Sequence, residues 1–274
     1  AYKQYASSMG KSFLTHVLCW IQGETDISNG TTFQEYLRRL NQLLFDYQTD
    51  ISQGAMQPVL VTYQTASHTK RTPNSATDIA QAQLVAANTN PSIFLACPTY
   101  MFTYNSDGVH MPANSYRHMG SYFAKAIHSI MTKNEWKPLQ PESIYRTGRV
   151  ITVTMHVPVP PLVLDTTLVT NPGDYGFEVF SGDVKQEIES ISIRDNRVSI
   201  VLTQDPDHAV TVKYAQGKTG DQTGPLTGAR GNLRDSDNTI ATLIDSNTNQ
   251  PYQLFNWCPI FTLEEGFSWV QWSV

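Results

Sequence analysis

The stretch that decides the fold is His16-Val-Leu-Cys-Trp-Ile21, which is followed directly by the polar residues Gln22-Gly-Glu-Thr-Asp26. The first run is almost continuously apolar, which is typical of a buried strand of a parallel sheet, and we expect His16 to belong to the core. The polar loop then marks the carboxyl end of that strand. Active sites of parallel α/β sheets lie at this end of the strands. We therefore expect functional side chains between Gln22 and Asp26.

Strands and helices alternate through the first half of the chain. Thr31 or Thr32 can cap a helix whose apolar face begins at Phe33, and Glu35, three residues after Thr32, would complete a capping box. Further strands are predicted at Pro58–Tyr63 and Ser92–Cys97, and further helices at about 1–13, Ser75–Asn88 and Ala113–Met131. This order predicts an α/β three-layer fold around a partial, flavodoxin-like parallel sheet.

The pattern changes near residue 138. Val150–Val157, Arg197–Leu202 and Ala209–Tyr214 alternate between apolar and polar residues, and the segments between them are rich in Asn, Asp, Pro and Gly. Alternation with such turns is typical of an antiparallel β-sandwich. We therefore expect residues 1–138 to form one domain and residues 139–274 to form a β-rich accessory domain.

Composition excludes several classes of function. The net charge is −5, and no basic cluster with interleaved aromatic residues occurs, so we expect no nucleic-acid partner. No apolar run approaches the roughly 20 residues that span a bilayer, so we expect no membrane partner. Cys19, Cys97 and Cys258 are widely separated and are expected to be buried, small apolar residues. We expect no metal site and no cofactor.

The strongest chemical signal is Asp107-Gly-Val-His110. A carboxylate three residues before a histidine can accept a hydrogen bond from one imidazole nitrogen, which leaves the other nitrogen free to take a proton from a serine. Gly108 permits the tight turn that this contact needs. The alternative is a structural pair that caps the helix after the loop.

A second signal is the segment Trp20-Ile-Gln22-Gly23-Glu24. A glutamine amide next to a glycine at the end of a strand can donate to a developing oxyanion. The alternative is a polar loop that bonds to its own backbone. The aromatic residues Trp20, Tyr63, Tyr100 and Tyr104 are candidates to line a sugar cleft, although core packing is an equally simple role for them.

Taken together, Trp-x-Gln-Gly-Glu followed by Asp-Gly-Val-His resembles the SGNH hydrolase superfamily, in its sialate O-acetylesterase and acetyl-xylan-esterase branch. The resemblance covers residues 13 to about 132. It implies that His110 is the general base, that Asp107 orients it and that Gln22 is an oxyanion donor. It also implies that Glu24 and Gly23 support the site without acting on the substrate, and that Glu24 holds either its own block or the histidine side of the site. The implied activity is the removal of acetyl groups from a glycan, such as a capsule or O-antigen.

The chain departs from that family in one respect. The Gly-Asp-Ser or Gly-Gln-Ser block that holds the nucleophile is not found, since Ser7, Ser8 and Ser12 lie on the predicted first helix. We therefore expect no nucleophile within this chain. An N-terminal segment, cleaved or absent here, or a partner chain should supply the serine, and the chain alone should be inactive.

The β-rich half resembles the accessory domains of similar esterases, several of which are bacteriophage tail spikes. The resemblance implies an acetylated polysaccharide as substrate, a homotrimer as one possible assembly, and a place in a virion tail or outside the cell after synthesis in the cytoplasm. Two alternatives stay open. One is a glycan-binding or structural receptor-binding module of a tail spike, and the other is a lipase-like SGNH esterase.

Overall fold

The computed structural model describes residues 2–52, 57–71 and 76–269. The first part of the chain forms six helices and three strands within these ranges. In chain order they are α1 (Tyr2–Ser8), β1 (Val17–Trp20), α2 (Glu24–Ser28), α3 (Phe33–Asp46), β2 (Val59–Gln64), α4 (His68–Arg71), α5 (Asp78–Thr89), β3 (Ile93–Pro98) and α6 (Ala113–Lys133). A turn of π-helix, Tyr47–Ile51, extends α3. The Thr32 hydroxyl accepts a hydrogen bond from the backbone N–H of Glu35 at 3.3 Å, which confirms the predicted cap.

The three strands form a parallel sheet in the order β1-β2-β3. Helices pack against it through alternate side chains of β2. Leu60 belongs to a core cluster with residues of α3 and α5, such as Leu40 and Ile79. The next residue, Val61, belongs to a cluster that includes Phe123 of α6. Successive side chains of a strand point to opposite faces, so the sheet is packed on both sides. The predicted parallel sheet is confirmed, and the three-layer description stays a prediction.

The prediction of a buried first strand was wrong. β1 is half-buried at most positions, Cys19 is exposed, and His16 just before it is exposed as well. Ile21 just after it retains 52% of its accessible surface. The reason is position, because β1 is the edge strand of the described sheet and pairs there only with β2.

Two predicted helices have different bounds. The helix predicted over residues 1–13 spans only Tyr2–Ser8, and none of its side chains is buried. The helix predicted from Ser75 begins at Asp78, and Ser75 itself lies outside the described residues. The long helix after the His110 loop runs from Ala113 to Lys133, close to its prediction.

The second part of the chain is antiparallel. Its strands are β4 (Gln140–Thr147), β5 (Val150–His156), β6 (Val163–Leu164), β7 (Phe177–Ser181), β8 (Val184–Gln186), β9 (Ile188–Arg194), β10 (Arg197–Leu202), β11 (Val210–Tyr214), β12 (Leu233–Arg234), β13 (Ile240–Ile244), β14 (Pro251–Gln253) and β15 (Phe261–Glu264). They form two four-stranded sheets, β4-β5-β10-β9 and β15-β11-β7-β8, and two short ribbons, β12-β6 and β13-β14. The antiparallel arrangement agrees with the sequence, and the sandwich geometry and the division at residue 138 stay predictions.

The two parts share one hydrophobic core. A single cluster contains Val61 and Tyr100 from the first part together with Val153 and Tyr214 from the second. The Gln64 amide adds a buried polar bridge, because it donates to the Ile260 carbonyl at 2.8 Å and accepts from the Ile260 N–H at 2.6 Å. Within the described ranges, no helix is long and apolar enough to cross a membrane.

Candidate active site

The loop between β3 and α6 brings Asp107 and His110 into direct contact. The imidazole Nδ1 lies 2.7 Å from Asp107 Oδ2, and Asp107 Oδ1 accepts from the backbone N–H groups of Val109 and His110 at 2.8 and 2.9 Å. Because an ionised carboxylate only accepts, Nδ1 carries the proton and Nε2 is left with a free lone pair. Gly108 has a φ of +67°, the left-handed conformation that the predicted turn requires.

Hydrogen bonds, and not burial, stabilise the negative charge of Asp107. The N–H of Val109 is the largest cause, followed by the His110 ring, and they lower the pKa of the Asp107 carboxyl to about 2. Asp107 is therefore ionised at neutral pH. The His110 side chain is 67% exposed, so Nε2 is open to a reacting group.

His110 and Gln22 line the same cleft, which has a volume of about 250 Å³. The loops after all three parallel strands contribute to it, as expected for the carboxyl edge of a parallel sheet. The lining residues are Ile21, Gln22, Gly23, Glu24, Thr25, Tyr63, Arg71, Thr99, Tyr104, Val109, His110, Met111 and Tyr116. No serine is among these described lining residues, and Ser106 is an exposed residue of the His110 loop.

Hydrogen bonds fix both the backbone and the side chain of Gln22. Its backbone carbonyl accepts from the Tyr36 hydroxyl at 2.8 Å and from the Gln83 amide at 3.1 Å. Its side-chain Nε2 donates to the Asp26 carboxylate, which also accepts from Thr31 Oγ1 at 2.9 Å. An amide nitrogen has two protons, so this contact fixes the amide and leaves one donor available.

Gly23 has a steric role in the same loop. A Cβ at this position would lie 3.1 Å from Ile79 Cγ2 and 3.2 Å from Gln83 Nε2. Both neighbours belong to α5, so a side chain would push the loop away from that helix. Glycine thus allows Gln22 to sit directly over the end of the sheet.

Glu24 ties the loop to β2 rather than to His110. Its Oε2 accepts from the Tyr63 hydroxyl at 2.5 Å and its Oε1 accepts from Thr65 Oγ1 at 2.8 Å. Burial raises the pKa of Tyr63 well above its usual value, so the phenol remains a donor at every relevant pH. These two contacts hold Glu24 against residues 63–65 at the end of β2.

The aromatic candidates divide into two groups. Tyr63 and Tyr104 line the cleft, while Trp20 is not among its lining residues. Tyr100 is fully buried and donates its hydroxyl to the Cys258 carbonyl at 2.7 Å, so it is a core residue. Arg71 also lines the cleft, and it is not predictable from the sequence because a single arginine in a short segment between two predicted elements carries no pattern. The roles of His110, Asp107, Gln22, Glu24 and Gly23 stay predictions.

No metal-binding group of three or more His, Cys, Asp or Glu side chains occurs among the described residues. Arg234 and Asp165, in the antiparallel part, form an ion pair of 2.7 Å away from the cleft lining.

Residues 2–129 match the sequence model of a family described as carbohydrate esterase, sialic acid-specific acetylesterase. The matched range includes both candidate segments, Gln22–Glu24 and Asp107–His110. A search of curated protein sequences found no match.

A carbohydrate acetylesterase from Xanthomonas citri has a similar structure, with a TM-score of 0.59 and 12% identity over 89% of this chain and 49% of that enzyme. The chain thus spans about half the length of that enzyme. The S-layer protein rSbsC(31-844) matches with a TM-score of 0.27 and 12% identity over 57% of this chain and 16% of its own, too low to support an argument. This mixed α/β structure, with its parallel sheet and several antiparallel sheets, therefore resembles the carbohydrate esterase fold, and the family match supports an esterase-like hydrolase.

Proposed function

We propose that this chain is the histidine–aspartate part of a serine-dependent carbohydrate O-acetylesterase. The observation that carries the proposal is the Asp107–His110 hydrogen bond of 2.7 Å at the mouth of a cleft that Gln22 also lines. A base oriented by a carboxylate, next to a fixed amide donor, is the arrangement that acyl transfer needs.

In the proposed reaction, His110 Nε2 takes the proton of a serine hydroxyl while the serine oxygen attacks the acetyl carbonyl carbon. Gln22 donates to the oxygen that becomes negative. The bond to the sugar oxygen then breaks, and protonated His110 returns the proton to that oxygen. Water, activated by His110 in the same way, releases acetate from the serine. Asp107 stabilises the imidazolium in both halves of the reaction.

We further propose that polypeptide outside these 274 residues supplies the serine. The open edge of β1 supports this proposal, because β1 pairs there with no other described strand and Ile21 at its end is 52% exposed. A parallel strand added at this edge would end beside Gln22, where a serine could reach His110.

The finer assignment follows from the sequence resemblance. We propose a capsule or O-antigen glycan as the substrate, a bacteriophage tail spike as the protein of origin, and a homotrimer outside the cell or on the virion tail as the working form.

The test is acetate release from an acetylated bacterial polysaccharide by the complete protein. Replacing His110 with Ala should lower turnover by about 10³–10⁶-fold, because the serine then lacks its base. His128→Ala, which removes an exposed histidine of α6, is the matched control and should be neutral. Near-normal turnover of the His110 variant would refute the proposal.

A second candidate is a glycan-binding or structural receptor-binding module. The absence of a serine from the described lining of the cleft favours it. Binding of the polysaccharide without release of acetate, by the complete protein, would select this candidate over the esterase.

A further inference from the structure

A segment of the antiparallel part packs directly on the loop that carries Asp107 and His110. It is the connection between β11 and β12, residues 215–232. Thr223 in this segment is buried, and its Oγ1 donates a hydrogen bond to the carbonyl of Gly108 at 2.5 Å. Because the two residues lie 115 positions apart in the chain, this contact joins the two parts of the molecule at the candidate site.

Gly108 is a buried point in a turn that is otherwise open. The residues on either side of it are exposed or half-buried, whereas Gly108 itself lies inside. A Cβ at this position would come within 2.7 Å of Lys70 Cγ, so the aliphatic part of Lys70 covers the turn from the side of α4. A buried carbonyl needs a donor, and among the described residues Thr223 supplies it.

The Gly108 carbonyl belongs to the same peptide unit as the N–H of Val109. In a trans peptide these two groups point in opposite directions within one plane. The carbonyl faces Thr223, and the N–H faces Asp107, whose Oδ1 accepts from it at 2.8 Å. Fixing the carbonyl therefore fixes the donor on the other side. The two hydrogen bonds also strengthen each other, because each one polarises the peptide between them.

The N–H of Val109 matters for the charge and the position of Asp107. It is the largest of the causes that lower the pKa of the Asp107 carboxyl to about 2, ahead of the His110 ring. The other oxygen of the same carboxylate contacts His110 Nδ1 at 2.7 Å. The direction of the imidazole thus depends, through the carboxylate, on a peptide that Thr223 holds.

A buried arginine holds the segment of Thr223 in place. Arg230 is only 1% exposed, and its guanidinium donates to the carbonyls of Thr170 and Gly228 at 2.7 Å each. The backbone N–H of Thr170 in turn donates to the Pro225 carbonyl at 2.9 Å, close to Thr223 in the chain. The segment is therefore tied to the antiparallel part on the side away from Gly108.

Two glycines allow this segment to approach the loop of His110 closely. Gly224 has a φ of +106°, and a Cβ there would lie 2.7 Å from the carbonyl oxygen of Phe102, in the same loop as Asp107. A Cβ at Gly228 would lie 2.7 Å from the Cα of Thr223. Backbone atoms cannot turn aside as the end of a side chain can. The close packing therefore specifies where Thr223 lies.

We propose that Thr223 is a positioning residue of the Asp107–His110 pair, acting through the peptide between Gly108 and Val109. The inference rests on the proposed function. Thr223 is not among the residues that line the cleft, so its effect on catalysis comes through the direction of the carboxylate and the imidazole. The antiparallel part then contributes a side chain to the organisation of the active site.

The first measurement is the titration of the Asp107 carboxyl by carbon-13 NMR in the 274-residue chain. Thr223→Val replaces the hydroxyl with a methyl group and removes the donor. The pKa of Asp107 should then rise from about 2 by about 0.5 or more, because the Val109 N–H is no longer fixed against the carboxylate. Thr223→Ser keeps the hydroxyl and should restore the original value.

The second measurement is acetate release by the complete protein. Thr223→Val should lower kcat by about 10-fold to 10²-fold with little change in KM, because the base is misdirected while the cleft lining is unchanged. Thr227→Val is the matched control, since it removes a hydroxyl from the same segment that takes no part in these contacts. It should change neither kcat nor the titration of Asp107.

Circular dichroism checks that the variants fold. If Thr223→Val does not fold, Thr223→Ser and Thr223→Ala replace it, because these two differ from each other only in the hydroxyl. Amide hydrogen exchange tests the unchanged protein directly, and the Val109 N–H should be protected. Exchange of this N–H at the rate of an unstructured peptide would contradict the proposal.

The proposal is also overturned by an unchanged titration of Asp107 when the Thr223 hydroxyl is lost, or by an equal shift in Thr227→Val. In a protein that releases acetate, a rise in KM alone or an unchanged kcat would overturn it as well. The NMR titration needs no substrate and is independent of catalysis. A protein in which Thr223 shifts the titration of Asp107 but which releases no acetate would retain the positioning role and lose the proposed function.

Discussion

At the scale of single residues, both oxygens of Asp107 are used within the segment Asp107–His110. Oδ1 accepts from two backbone N–H groups and Oδ2 contacts the imidazole, so the loop fixes the carboxylate before any substrate arrives. All hydrogen-bond partners of Asp107 in this segment lie within three residues of it, and Gly108 supplies the turn. The contact between Asp107 and His110 can therefore be predicted from the motif Asp-Gly-Val-His alone.

Arg71 shows the opposite case. Its place in the cleft depends on how α4 packs after β2 and on what surrounds it, and its sequence neighbours give no sign of this. The contact between Asp107 and His110 is therefore predictable from the sequence, whereas the place of Arg71 in the cleft lining is not.

We predict that the Asp107 carboxyl titrates near pH 2 in the folded protein, below its ordinary value of 3.8, because two N–H groups and the His110 ring stabilise the charged form. The stability that this carboxylate contributes is present above pH 3.8 and is lost as the pH falls through about 2. Carbon-13 NMR of the carboxyl measures the titration directly.

In the variant His110→Ala, the pKa of Asp107 should rise but stay below 3.8, because the Val109 N–H, the largest cause of the shift, remains. A midpoint at or above 3.8 in the unchanged protein would show that the loop hydrogen bonds do not form in solution.

We predict that Gln22→Ala in the complete enzyme lowers kcat about 10²-fold or more with little change in KM, because the amide serves the transition state. The contact of Gln22 Nε2 with Asp26 fixes the amide in advance. Gln42→Ala, on the exposed face of α3, is the control. An increase in KM alone would instead make Gln22 a residue that positions the substrate.

At the scale of elements, the helices and strands of the first part follow their sequence patterns, and β1 shows where such patterns fail. An apolar run predicts a strand, but its burial depends on what lies beside it in the sheet. β1 is at the edge, so Cys19 and Ile21 are exposed although the run is apolar. These exposed apolar residues are the observation, at the scale of elements, that supports the proposal of a further strand at this edge.

We predict that Gly23→Ala destabilises the protein by about 1–3 kcal/mol, because a Cβ contacting Ile79 and Gln83 overpacks the space between the loop and α5. Gly120→Ala is the matched control, since Gly120 lies within α6 with no atom within 4 Å of the added Cβ. That change should stabilise by about 0.5–1 kcal/mol through helix propensity.

Urea unfolding of both variants measures these effects as changes in the free energy of unfolding. If the two alanine variants shifted stability equally, the tight packing of Gly23 against α5 would be disproved. A Gly23 variant that folds should also show reduced catalysis in the complete enzyme, because Gln22 moves with the loop.

At the scale of the whole molecule, the two parts differ in topology but share one core cluster, while a second cluster belongs to the first part alone. The sequence shows the change from helix-strand alternation to antiparallel strands near residue 138. It does not show that Tyr100 and Tyr214 lie in one cluster, or that Gln64 binds Ile260 across the chain. Periodicity describes neighbours along the chain, whereas a shared core depends on contacts between distant segments.

Because of this shared core, the second part packs against the edge of the parallel sheet where the candidate site lies. Gln64 ends β2, and Tyr63, its neighbour, holds Glu24 in the cleft. Cutting the chain near residue 138 should therefore disturb the cleft as well as the cut site.

We expect the 274-residue chain alone to release no p-nitrophenol from p-nitrophenyl acetate by way of His110, whereas the protein from the full open reading frame should do so without added metal. Both proteins are assayed with and without a chelator. Turnover by the short chain that depends on His110 would mean that a serine within it, such as Ser106, is the nucleophile. Turnover that survives loss of His110 would refute the assigned base, and loss of activity on chelation would place the chemistry at a metal.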